Sequence, residues 1–119
     1  MSTPSRPTLD CTDFVLEALD WLESRDSSPE SIDRVLDLLA DQRRRLFLEV
    51  MRTYGEPLTL PDAAEEVTSR EVGKEVPAIS AERVANVYIS LYHDHLPQLV
   101  DAGLLEYDQE RDLVAPLGI

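Results

Sequence analysis

The stretch from Val84 to Val114 constrains this chain most. Val84, Val87, Tyr88, Leu91, His95, Leu96 and Leu99 recur at helical spacing, and the run ends at Gly103. Leu104-Leu105-Glu106-Tyr107 and Leu113-Val114 then read as strands, with Asp108-Gln109-Glu110-Arg111-Asp112 as the turn between them. A helix must therefore bury one face and hand the chain directly to a β ribbon. Pro97 lacks the N–H that would bond the His93 carbonyl, so a kink or a short restart is expected there.

The segments before it carry the same helical signature. Residues 1–11, rich in Ser, Thr and Pro, are expected to form a disordered tail. Residues 12–27 read as an extra amphipathic helix with Phe14, Val15, Ala18, Leu19, Trp21 and Leu22 on its apolar side. Two uses of that side stay open: packing onto the domain core, or a dimer interface through Phe14, Leu19, Trp21 and Leu22. Ser28-Pro29 opens a helix whose Ile32, Val35, Leu36 and Leu39 are expected to be buried. Asp41 caps the next helix, with Leu46, Phe47, Val50, Met51 and Tyr54 inward and Gly55 as its stop. Glu56 to Leu60 reads as an extended link. Ala63, Ala64 and Val67 form the inner side of a further helix, and residues 68–80 as its extension followed by a loop. Ser80 caps the helix of the opening paragraph.

Order and spacing together predict a mainly α fold with a small β-hairpin. This is a winged helix-turn-helix over residues 28–117 with an additional N-terminal helix. The segment His95-Leu96-Pro97-Gln98-Leu99-Val100-Asp101-Ala102-Gly103-Leu104-Leu105-Glu106 resembles the end of the recognition helix and the first wing strand of ArsR-like winged-helix regulators. Over about residues 31–115 the chain is similar to a winged-helix domain family of halophilic archaea. That likeness rests on Leu38-Leu39-Ala40-Asp41-Gln42-Arg43-Arg44-Arg45, on Gly55-Glu56-Pro57-Leu58, and on the run from Val87 to Asp108. The resemblance implies the fold more than a function. Two features depart from it: Arg83 is the one cation at the start of the recognition helix, and the wing turn sets Asp108, Glu110 and Asp112 against Arg111.

Charge bears on partners. Twenty-four acidic residues face eleven basic ones, a net charge of −13, and Lys74 is the only lysine. Such a balance ordinarily opposes nucleic acid. An acidic, Lys-poor surface also suits molar salt, where the Debye length is about 3 Å and repulsion from phosphates is screened. A halophilic source is the favoured reading. The leading expectation is a DNA-binding transcriptional regulator acting as a homodimer. Arg83, Asn86, Ser90 and His93 would lie in the major groove, with Arg43, Arg44, Arg45 and Arg111 as further DNA contacts. Taken by themselves, Arg43–Arg45 are expected to be solvated and paired with nearby Asp37, Asp41 and Glu49, with phosphate contact as their functional reading. The alternative reading of the whole is a protein-interaction module on the same frame.

Other chemistries find little support. No nucleophile elbow, P-loop or HExxH is present, so no enzyme is expected. His93 and His95, two apart on a helix, point about 200° apart and cannot share an ion. His95 is expected as a core histidine bonded to a backbone carbonyl. With Cys11 the only cysteine, no metal, cofactor or intrachain disulfide is expected. With no apolar signal core or membrane-length run, the chain reads as cytoplasmic, with no membrane partner.

Overall fold

A computed structural model describes residues 11–119. Of the expected tail, residues 1–11, positions 1–10 lie outside the described residues, and Cys11 belongs to a helix instead. Residues up to Val35 form one unit and Leu36–Ile119 a second.

The first unit holds helix α1, Cys11–Glu23, and the start of α2, Pro29–Leu39. Ser28 Oγ accepts from the Ser31 backbone N–H at 3.1 Å, the expected cap. No residue of α1 is buried. Phe14 is 72% exposed and Trp21 55%, and the Arg25 guanidinium lies 4.0 Å over the Trp21 ring. The stripe on α2 is a correction: Ile32 is half-buried, Val35, Leu36 and Leu39 are exposed, and Leu38 is the one buried residue of that helix. Apolar spacing marks a face, but what covers it depends on the rest of the chain.

The second unit is mainly helical with a small three-stranded antiparallel sheet. Helix α3, Gln42–Tyr54, starts where Asp41 accepts from the Arg44 N–H at 3.0 Å and ends at Gly55 in the left-handed conformation. Leu58–Thr59 form strand β1, not merely a link, and Thr59 caps helix α4, Leu60–Val72. A 3₁₀ turn at Val76–Ala78 leads to Ser80, which caps helix α5, Ala81–Ser90. Leu91–His95 then widen into a π turn before helix α6, Leu96–Asp101. The Leu96 N–H reaches the Leu91 carbonyl, five residues back, just ahead of Pro97. The irregularity anticipated from Pro97 thus takes the form of one wide turn, which relieves the clash between the proline ring and the carbonyl four residues before it.

Helix α6 ends in a Schellman motif: Leu104 N–H bonds the Leu99 carbonyl and Gly103 N–H that of Val100, both at 3.0 Å. Gly103 adopts φ +79°, which reverses the chain into strand β2, Leu105–Asp108. Strand β3, Leu113–Pro116, returns antiparallel between β2 and β1. Phe47, Val50, Met51, Leu60, Ala63, Ala64, Val67, Leu91, Leu99 and Val114 are fully buried, so α3, α4, the helix around residue 91 and the sheet share one core. The two small alanines allow the α4 backbone to approach its neighbours.

Candidate functional site

The face between the start of α3 and the outer side of α5 opens into a polar groove of about 670 Å³. Its walls carry Arg43, Arg44 and Arg83 against Asp41, Glu71 and Asp94, with Ser90, His95 and Gln98 between. Three cations thus balance three carboxylates here, in a chain whose net charge is −13.

The three consecutive arginines diverge, as their helical spacing requires. Arg43 reaches α4, where its Nε donates to Glu71 Oε2 at 2.5 Å and its Nη2 to Glu71 Oε1 at 2.9 Å. That pairing also raises the Arg43 pKa. Arg44 is buried, and its Nη1 donates to Gln98 Oε1 at 2.6 Å. The Gln98 amide is used at both ends, since its Nε2 donates to the Asp94 carbonyl. Arg45 is exposed and donates to the Leu39 carbonyl. Their side-chain hydrogen bonds thus go to Glu71, Gln98 and the Leu39 carbonyl rather than to Asp37, Asp41 or Glu49, while Asp41 acts on Arg43 and Arg44 through its charge.

His95 is buried, but it does not hold a backbone carbonyl. Its Nε2 lies 3.8 Å from Asp41 Oδ1, and its Nδ1, like the Arg44 Nε, has no hydrogen-bond partner. Burial lowers the His95 pKa despite the nearby carboxylate. The Arg44 N–H in turn holds the Asp41 carboxyl below its ordinary pKa.

The other sequence candidates are dispersed. Arg83 and Ser90 line the groove, whereas Asn86 is exposed and is not among its lining residues. His93 faces a second hollow with Leu96, Pro97, Val100 and Tyr107, and Tyr92 meets its ring edge-on at 4.9 Å. Arg111 stands at the hairpin tip with its side chain 76% exposed, 3.6 Å from Asp108. Asp41, Glu71, Asp94 and Gln98 belong to the groove without having been singled out as site residues. Asp41 carried a capping signal, but the positions of the others depend on contacts between helices.

Two carboxylates of the acidic hairpin hold the fold together. Asp108 Oδ1 accepts from the Glu110 and Arg111 N–H groups and closes the turn. Asp112 accepts from the Tyr88 hydroxyl at 2.6 Å and the Tyr107 hydroxyl at 2.5 Å, joining the hairpin to α5. This shared carboxylate pushes the Tyr88 pKa up to about 12, while burial and the same carboxylate raise that of Tyr107. Tyr88 and Tyr92 stack with centroids 6.5 Å apart.

Among the described residues no three His, Cys, Asp or Glu side chains converge as a metal site, and no helix is long and apolar enough to cross a membrane. No curated protein and no solved structure matches the chain. A family profile does match residues 36–115, nearly the whole of the second unit. The chain belongs to the family described as Domain of unknown function (DUF7344).

Proposed function

We propose that Leu36–Ile119 is a winged-helix module that binds double-stranded DNA as a transcriptional regulator, with α5 as the recognition helix and β2–β3 as the wing. The succession helix, strand, helix, helix, two strands, with the first strand pairing the last, supports that reading of the fold. One observation carries the function: Arg83 of α5 shares an open groove with Arg43 and Arg44 of α3, where positive charge offsets negative. A duplex entering along α5 would meet Arg83, Ser90 and the exposed Asn86. Arg43 would reach a phosphate, which fixes position rather than sequence. Arg111 at the wing tip is the contact for the flanking backbone. Arg44 supports the surface from beneath.

A halophilic cytoplasm is the proposed setting. The protein would act as a homodimer joined through Phe14, Leu19, Trp21 and Leu22 of α1. A thirteen-residue helix with no buried residue is marginal in water unless its apolar side is covered. Fluorescence anisotropy with genomic duplex fragments in concentrated KCl tests the DNA reading. Sequence-selective binding that weakens about tenfold or more in Arg83→Ala is expected, in line with the loss of one base or phosphate contact. Absence of binding, or an Arg83→Ala variant equal to wild type, contradicts it.

One observation favours a protein partner instead: Ile89 is 53% exposed on α5, the helix whose Tyr88 bonds Asp112 of the acidic hairpin. Under that reading Ile89→Asp abolishes a stable protein complex, and no duplex binds.

A further inference from the structure

The Arg43–Glu71 pair does not follow from the local preferences of the helix that carries Glu71. That residue sits in the last turn of α4, which runs Leu60–Val72. A carboxylate there opposes the helix dipole, and a cation would suit the position. What holds Glu71 is Arg43, across the groove wall. Both fork nitrogens are engaged, Nε to Oε2 and Nη2 to Oε1, in the planar two-oxygen arrangement that a guanidinium also offers to a phosphate. The Arg43 side chain keeps 34% of its surface exposed and the Glu71 side chain 15%, so solvent reaches the arginine more freely than its partner. The pair also lies in the same groove as Arg83.

We propose that Glu71 is an internal stand-in for a DNA phosphate: it occupies the Arg43 fork in the free protein and must yield the fork when the backbone docks. The inference rests on the DNA reading above. It adds a residue that lowers affinity by competition, so the groove is self-occupied until a duplex displaces the carboxylate. Exchange of one two-oxygen partner for another leaves the Arg43 guanidinium in place. The cost of docking is the release of Glu71 into water near a phosphate, and that cost disappears when residue 71 is uncharged.

Glu71→Gln keeps the size of the side chain and one acceptor oxygen. Duplex binding is measured by anisotropy across a KCl series for wild type, Glu71→Gln, Arg43→Gln and the double variant. Glu75→Gln, an exposed carboxylate that does not line the groove, is the control for simple loss of charge. Glu71→Gln is expected to tighten binding about threefold or more while leaving the slope of log K against log salt nearly unchanged, because Arg43 meets the same phosphate in both complexes. In the Arg43→Gln background the same change is expected to do little. The proposal is overturned if Glu71→Gln matches wild type or Glu75→Gln, or if its gain survives without Arg43. Duplex binding by wild type with an unchanged Glu71→Gln sinks this proposal alone. No binding by any variant sinks the DNA reading with it. Thermal melts check folding; should Glu71→Gln unfold, Glu71→Asp, whose carboxylate is one methylene shorter, is expected to show a smaller gain in the same direction.

Discussion

Helices α1 and α3 are both thirteen residues long, and both carry an aromatic-aliphatic stripe at helical spacing. Their fates differ. Phe47, Val50 and Met51 of α3 are wholly buried, whereas Phe14, Leu19 and Trp21 of α1 are exposed. Amphipathic spacing is thus a necessary sign of a core-facing helix and not a sufficient one. In α3 the stripe meets the buried Ala63, Ala64 and Val67 of α4, with Leu91 and Leu99 in the same core. In α1 Phe14, Leu19 and Trp21 stay exposed. The family match repeats the division, since it begins at residue 36, after α1 and within α2.

The sharpest way to break this contrast is a pair of truncations. Phe47→Ala is expected to cost about 3–5 kcal/mol in denaturant unfolding, because a fully buried ring leaves a cavity. Phe14→Ala is expected to stay within about 0.5 kcal/mol under dilute monomeric conditions. It should still weaken self-association in sedimentation equilibrium. Equal stability losses in the two variants would erase the distinction.

A smaller effect tests how the hairpin is tied to α5. Tyr88 and Tyr107 have raised pKa values in the folded state, so the stability they contribute is present below the ordinary phenol value of 10 and is lost as pH rises through about 12 for Tyr88. Asp112→Asn removes the charge that both hydroxyls face. Tyrosinate absorbance should then show two phenols ionising closer to 10, and stability should fall by about 1–3 kcal/mol. An unchanged titration would detach the hairpin from this network.

The smallest effect concerns the floor of the groove. The folded His95 pKa is lowered from 6.5, so the unfolded chain takes up the proton first, and stability declines as pH falls below about 6.5 towards the folded value. The Asp41 pKa is lowered from 3.8, which places its contribution in a separate, more acidic window. His95→Gln should flatten the upper part of that decline in pH-dependent melts. A decline that persists there would assign it to another group.

What could be read from the chain alone divides along the range of the interactions. Asp41, Ser80, Gly55 and Gly103 act within a few residues, and all four end or begin helices as their types require. Strand β1 was opaque because two residues become a strand only by pairing with Leu113 and Val114. The α2 stripe misled because spacing says nothing of what lies opposite. The groove was least visible of all. Arg43 and Glu71 are 28 positions apart, and Arg44 and Gln98 are 54 apart, so the arginine run was legible as charge but its partners were not.

The central claim is that the second unit carries the DNA-binding surface while α1 serves association. Hydrogen–deuterium exchange of the full chain, with and without a bound duplex in concentrated KCl, tests it most directly. Added protection is predicted at 41–45 and 81–94, with none at 11–23. Protection confined to 11–23, or none in the groove segments under saturating duplex, would contradict it.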